Sequence, residues 1–72
     1  MNIKDTVIQI LGENGIEIDG SGVLLNVESL SFISTIVDIE QKFEIEISDE
    51  FLEIGKFSTV DDLVRVITYI IQ

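Results

Sequence analysis

The chain has 72 residues, 46% of them hydrophobic, and a mean hydropathy of +0.43, which describes one small domain over residues 1–72 that is too apolar to stay disordered. Fourteen acidic residues against four basic ones give a net charge of −10; such a field disfavours nucleic acid and anionic membrane surfaces and steers in proteins with basic patches. With no cysteine and no histidine, disulfide frameworks, thiolate metal sites and self-contained Ser-His-Asp or Cys-His catalysis are excluded.

Ile3, Val7, Ile10 and Leu11 recur at helical spacing and predict a first helix. Asn2 is its N-cap, Asp5 follows three residues on, and Gly12 and Gly15 mark its stop. A long connection over residues 13–28 comes next, broken at Asp19-Gly20-Ser21-Gly22. Within it Ile16-Glu17-Ile18 alternates like a short extended piece, and Val23, Leu24 and Leu25 are apolar enough to pack back on the helices. Connections of this length are often functional.

A second helix is predicted from Ser29 to Phe43. A short third one runs from about Asp49 to Ile54, capped by Ser48, acidic in its first turn and ended by Gly55. The last helix begins after Ser58, which with Asp61 resembles a capping box in which Asp replaces the usual Glu. Val60, Leu63, Val64, Ile67 and Ile71 share one of its faces, while its many β-branched residues leave a strand open for its final residues. The expected fold is all-α: a small antiparallel bundle of three long helices and one short one. No apolar run approaches the roughly 20 residues of a membrane span. The opening Met1-Asn2-Ile3-Lys4-Asp5 has no signal-peptide pattern, so the cytoplasm is the expected compartment.

On a wheel of about 100° per residue, Phe32, Ile36, Ile39 and Phe43 of the second helix form a core stripe. Leu30, Ile33 and Val37 extend the apolar arc to one side, with Glu40 between the two groups. Ser31, Ser34, Thr35, Asp38, Gln41 and Lys42 fill the opposite face. The arc is wider than a surface helix needs. Two readings follow: a central helix covered on most sides, or a partly exposed patch of Leu30, Ile33 and Val37 with an acidic rim, which would dock on a basic-rimmed groove. The acids from Asp38 to Glu53 read as a solvated face; an oxygen-only cluster also suits a weak Ca²⁺ or Mg²⁺ site, but none of these segments follows a calcium-loop pattern, and no metal site is expected.

Three segments carry a more specific signal. These are Glu28-Ser29-Leu30-Ser31-Phe32-Ile33 with Glu40 and Phe43, then Ile45-Glu46-Ile47-Ser48-Asp49-Glu50, then Ser58-Thr59-Val60-Asp61-Asp62-Leu63-Val64. In this order and spacing they resemble the acyl carrier protein family, over about residues 23 to 71. The family shows an acid, Ser and Leu at the start of its second helix, a Glu-x-x-Phe near that helix's end, an Ile-x-Asp-Glu-like turn and a Thr-Val before its last helix. The resemblance implies a carrier without chemistry of its own. A transferase moves 4'-phosphopantetheine from coenzyme A to the motif Ser, here Ser29, beside Glu28. The arm's thiol then holds acyl or aminoacyl groups as thioesters. By the same match Leu30 and Val37 fall at partner-facing positions, and Ile36, Ile39, Ile47 and Ile67 at positions lining the acyl-holding interior; the wheel adds Ile33 and Glu40 to the expected partner-binding set. The implied partners are phosphopantetheinyl transferase and acyl-transferring or synthase enzymes with basic patches, and the chain itself is expected to be a monomer.

The residues agree with this reading on physical grounds. A Ser at a helix start after a long loop is exposed, and the helix dipole there favours a phosphate. As a residue taken alone, Ser29 is equally an ordinary N-cap. The sequence departs from the family at Glu28, where Asp is usual; in Leu25-Asn26-Val27, where many members have a Gly-containing lead-in; and in Thr68 to Gln72, which extend past the usual ending. Glu28 keeps open an alternative: a degenerate, unmodified carrier-fold domain acting as an acidic protein–protein interaction module. A carboxylate-based hydrolase has only the acids to recommend it, and no enzyme activity is expected.

Overall fold

The computed structural model describes residues 2–48 and 57–72. In chain order they form α1 (Ile3–Glu13), β1 (Glu17–Ile18), β2 (Leu24–Leu25), α2 (Ser29–Phe43) and α3 (Val60–Ile71). The fold is mostly helical, as expected, and the described residues hold three helices. The predicted short helix from Asp49 to Ile54 lies outside them. The all-α expectation needs one correction. β1 and β2 pair antiparallel, Glu17 opposite Leu25 and Ile18 opposite Leu24. The alternating Ile16-Glu17-Ile18 and the apolar run from Val23 to Leu25 supply these strands, because pairing satisfies backbone groups that a free loop would leave unbonded.

α1 starts at Asn2, whose Oδ1 accepts the Asp5 N–H at 3.2 Å. The helix runs through Gly12 and stops at Glu13, one residue beyond the first predicted stop. Gly12 keeps helical geometry; it is Gly15, at φ +78°, that takes the left-handed conformation open to glycine. Asn14 closes the helix end. Its Nδ2 donates to the Ile10 carbonyl at 2.9 Å and to Asp38 Oδ2 on α2 at 3.0 Å, tying α1 to α2.

The turn between the strands is built on Asp19, whose Oδ1 accepts the N–H of Ser21 at 2.8 Å and of Val23 at 3.0 Å. The hairpin is then strapped to the start of α3. Leu24 N–H donates to the Ser58 carbonyl and Val60 N–H to the Gly22 carbonyl, both at 2.9 Å, around an antiparallel bridge between Val23 and Thr59.

The start of α3 also differs from expectation by one residue. Thr59, not Ser58, is the N-cap, and Asp62, not Asp61, completes the capping box. Thr59 Oγ1 accepts the Asp62 N–H at 3.2 Å, while Asp62 Oδ2 accepts the N–H of Thr59 at 3.1 Å and of Ser58 at 2.9 Å. The strap explains the shift. Bridging at Thr59 holds that residue extended, so the first helical residue is Val60. Asp61 instead pairs with Lys4 across to α1 at 3.5 Å, through exposed side chains.

One core unites these elements. Val7, Leu11, Ile39, Val60, Leu63 and Ile67 are almost wholly buried, joined by Ile10, Ile16, Leu24, Phe32, Ile36, Ile47 and Phe57. The Phe32 and Phe57 rings pack with centroids 5.5 Å apart and planes inclined by 37°. Each buried aliphatic side chain contributes about 1.5–3 kcal/mol, against roughly 0–1 kcal/mol for an exposed ion pair such as Lys4–Asp61. Burial therefore holds the fold. Two face assignments change. Ile71, expected on the buried face of α3, is 50% exposed because it ends the helix beyond the packed turns. Thr35, expected on the polar face of α2, is fully buried. It lies about 40° round the wheel from Ile39, and its hydroxyl is satisfied by donating to the Ser31 carbonyl at 2.8 Å. No described helix is long and apolar enough to cross a membrane.

Candidate functional site

The candidate site is the start of α2 and the surface that runs down from it. Asn26 sits in the left-handed region at φ 57°, a conformation Asn tolerates better than most residues, with Nδ2 donating to Glu17 Oε2 at 3.4 Å. That turn delivers Glu28 in extended backbone, φ −104° and ψ 154°, as the N-cap of α2. Its carbonyl accepts the Phe32 N–H at 2.8 Å, but its side chain makes no capping bond. Glu carries one methylene more than Asp, a preferred N-cap residue. Ser29 is therefore the first helical residue rather than the cap, and it is exposed. No acid stands in the first turn of α2. The backbone N–H groups of that turn form the positive end of the helix dipole.

Downstream, the two stripes of α2 separate. Leu30 is 79% exposed, Ile33 57% and Val37 42%, while Phe32, Ile36 and Ile39 are buried. The covered-on-most-sides reading of this helix is thereby set aside, because three large apolar side chains face solvent in a row. Ile47 and Ile67 join Ile36 and Ile39 in the core. Glu40 stands between the stripes, half-buried, with Oε2 accepting the Ile47 N–H at 2.8 Å. That bond has no signal in the sequence, since it depends on how the chain turns after Phe43. The Asn14–Asp38 bond and the Thr59–Asp62 box were likewise beyond periodicity. The box was visible in the sequence, but one residue early, as Ser58 with Asp61 instead of Thr59 with Asp62.

Among the described residues no group of three His, Cys, Asp or Glu is arranged to hold a metal ion. Asp62 is held below the ordinary carboxylate range, first by the Ser58 N–H, then by the Thr59 N–H and hydroxyl and by nearby Arg65, with partial burial opposing them.

The sequence matches the phosphopantetheine attachment site family over residues 2–67. The chain belongs to that family. Its members carry 4'-phosphopantetheine covalently. The chain is also similar to a protein named acyl carrier protein from Wolinella succinogenes, 36% identical over 69 residues, which cover 92% of this chain and 88% of the relative. No solved structure gives a significant match. The acyl-carrier resemblance drawn from three short segments thus extends to nearly the whole chain, α1 included. Members of the acyl carrier protein family are carriers rather than catalysts, which fits a chain lacking cysteine and histidine.

Proposed function

We propose that Ser29 takes the 4'-phosphopantetheine arm and that the chain carries acyl or aminoacyl intermediates on it in the cytoplasm. The observation that carries this reading is the position of Ser29: exposed, first in a 15-residue helix, behind an N-cap whose side chain leaves the helix start uncapped. The residues fit the group. Ser29 Oγ would hold the phosphodiester, and the N–H groups of the first turn, which itself carries no acid, favour its negative charge. When bound, the arm supplies a thiol that holds cargo as a thioester. Glu28 lies beside the attachment point as the adjacent acid. Activation of the Ser29 hydroxyl falls to the transferase.

Leu30, Ile33 and Val37 then form the apolar contact for partner enzymes, with Glu40 at its edge. Ile36, Ile39, Ile47 and Ile67 are the core side chains against which cargo would lie. The transferase and acyl-transferring enzymes that approach this face are expected to bring basic patches to a chain of charge −10. Intact mass after incubation with coenzyme A and a broad-specificity phosphopantetheinyl transferase tests the reading. The parent should gain one phosphopantetheine and Ser29→Ala none. No gain in the parent with several transferases would favour the unmodified interaction module.

A further inference from the structure

Glu40 is used three times as an acceptor. Its carbonyl accepts the N–H of Glu44 and, at 3.0 Å, that of Ile45. Its carboxylate accepts the N–H of Ile47 at 2.8 Å. One residue thus organises the turn by which the chain leaves α2, a turn that also holds Glu44 in the left-handed region at φ 55°. The two carbonyl bonds survive any change of side chain; the third does not. A hydrogen bond to a charged group is among the stronger ones a protein makes. At its far end is Ile47, buried beside Ile36, Ile39 and Ile67 in the core.

The carboxylate also borders the outer surface. On the helix wheel Glu40 lies about 20° from Ile33 and about 60° from Val37, both exposed. Glu44 and Glu46, exposed acids, follow in the same turn. A cation brought in on a partner that covers Ile33 and Val37 meets a carboxylate already committed to Ile47.

We propose that Glu40 is a positioning residue that latches Ile47 into the core and releases it when a docked partner's guanidinium or ammonium group takes the carboxylate. The proposal rests on reading the exposed stripe as the partner surface and Ile47 as part of the cargo-facing interior. A cation pairing with Glu40 draws the carboxylate charge outward and weakens the bond to the Ile47 N–H. Docking on one face of α2 thereby loosens the wall on the other. The coupling is reciprocal, so a loosened Ile47 leaves Glu40 freer to bind the cation.

The test uses the full, unmodified chain, so failure of arm attachment at Ser29 does not affect it. Amide hydrogen exchange is followed by NMR at Ile47, at Ile45, whose bond goes to the Glu40 carbonyl, and at Leu63 as a gauge of global opening. Ile47 should exchange about tenfold faster in Glu40→Ala, and by an intermediate factor in Glu40→Gln, which keeps an acceptor of the same shape; Ile45 and Leu63 should stay within about twofold. Adding an acetylated hexa-arginine amide at low salt should speed Ile47 exchange in the parent and leave Glu40→Gln unchanged. Unaltered Ile47 protection in Glu40→Ala overturns the latch. So does acceleration of Leu63 in step with Ile47, or a parent Ile47 that ignores the peptide.

Discussion

Two helix starts in this small molecule are built in opposite ways. α3 begins with a reciprocal capping box, two acids in its first turn and a strap of backbone bonds from the hairpin. α2 begins with a glutamate that does not cap, no acid in its first turn and an exposed serine. A capping interaction is worth about 1 kcal/mol, so the plainer start of α2 is a forgone stabilisation. What α2 retains is a helix end whose N–H groups and dipole are free to favour an added negative charge. The start of α3 is spent on holding the fold, and the start of α2 is left open, as the proposed attachment at Ser29 requires.

The contrast predicts that changes along α2's exposed stripe cost binding, whereas changes at α3's start cost stability. The largest effect expected is on Val37→Asp, which should weaken a cognate partner enzyme by at least about tenfold while leaving helical circular dichroism intact; an unfolded variant would assign Val37 to the core. Thr59→Ala should lower unfolding free energy by about 1 kcal/mol, read by urea denaturation, without altering the modification proposed at Ser29. A smaller effect is limited to acid. Because Asp62 titrates below the ordinary carboxylate range in the folded chain, its ionised form stabilises the fold above the unfolded value of about 3.9, and that contribution is lost as pH falls through the depressed folded value. Asp62→Asn should therefore flatten the fall in thermal midpoint between pH 4 and lower pH. The smallest expected effect blurs the contrast itself. Glu28→Asp supplies the missing cap to α2 and should raise stability by roughly 0.5 kcal/mol. An unchanged midpoint would mean that the extended backbone at residue 28 cannot present a capping carboxylate.

The helices were legible because their apolar residues repeat at 3.6. Ile3, Val7, Ile10 and Leu11 do so in α1, and Phe32, Ile36 and Ile39 do so in α2. The division of α2 into buried and exposed stripes could be drawn on a wheel before any contact was known. The β pair was half visible in the alternation at Ile16 to Ile18, but its partner at Leu24 is fixed by tertiary pairing. The register of the α3 cap was missed for the same reason: local chemistry allows Ser58 or Thr59, and only the bridge to Val23 decides. Thr35 shows the limit of polarity as a guide, since a hydroxyl that bonds its own helix can be buried at little cost. The place of Ser29 at an exposed helix start was legible from the long connection before it; that Glu28 would leave that start uncapped was not.

The strap between the hairpin and α3 also bears on how the chain reaches this fold. It joins segments roughly 35 residues apart, and closing a loop of that length costs about 3 kcal/mol of chain entropy. The helices, of 11, 15 and 12 residues, are near or below the length at which an isolated helix persists in water. Neither the strap nor α3 is then worth forming without the other, and their joint arrival encloses α2 between two anchored ends. The docking of α3 sets the contact order of the molecule, and with it the pace of folding, while the local pairing of α1 with α2 can run ahead.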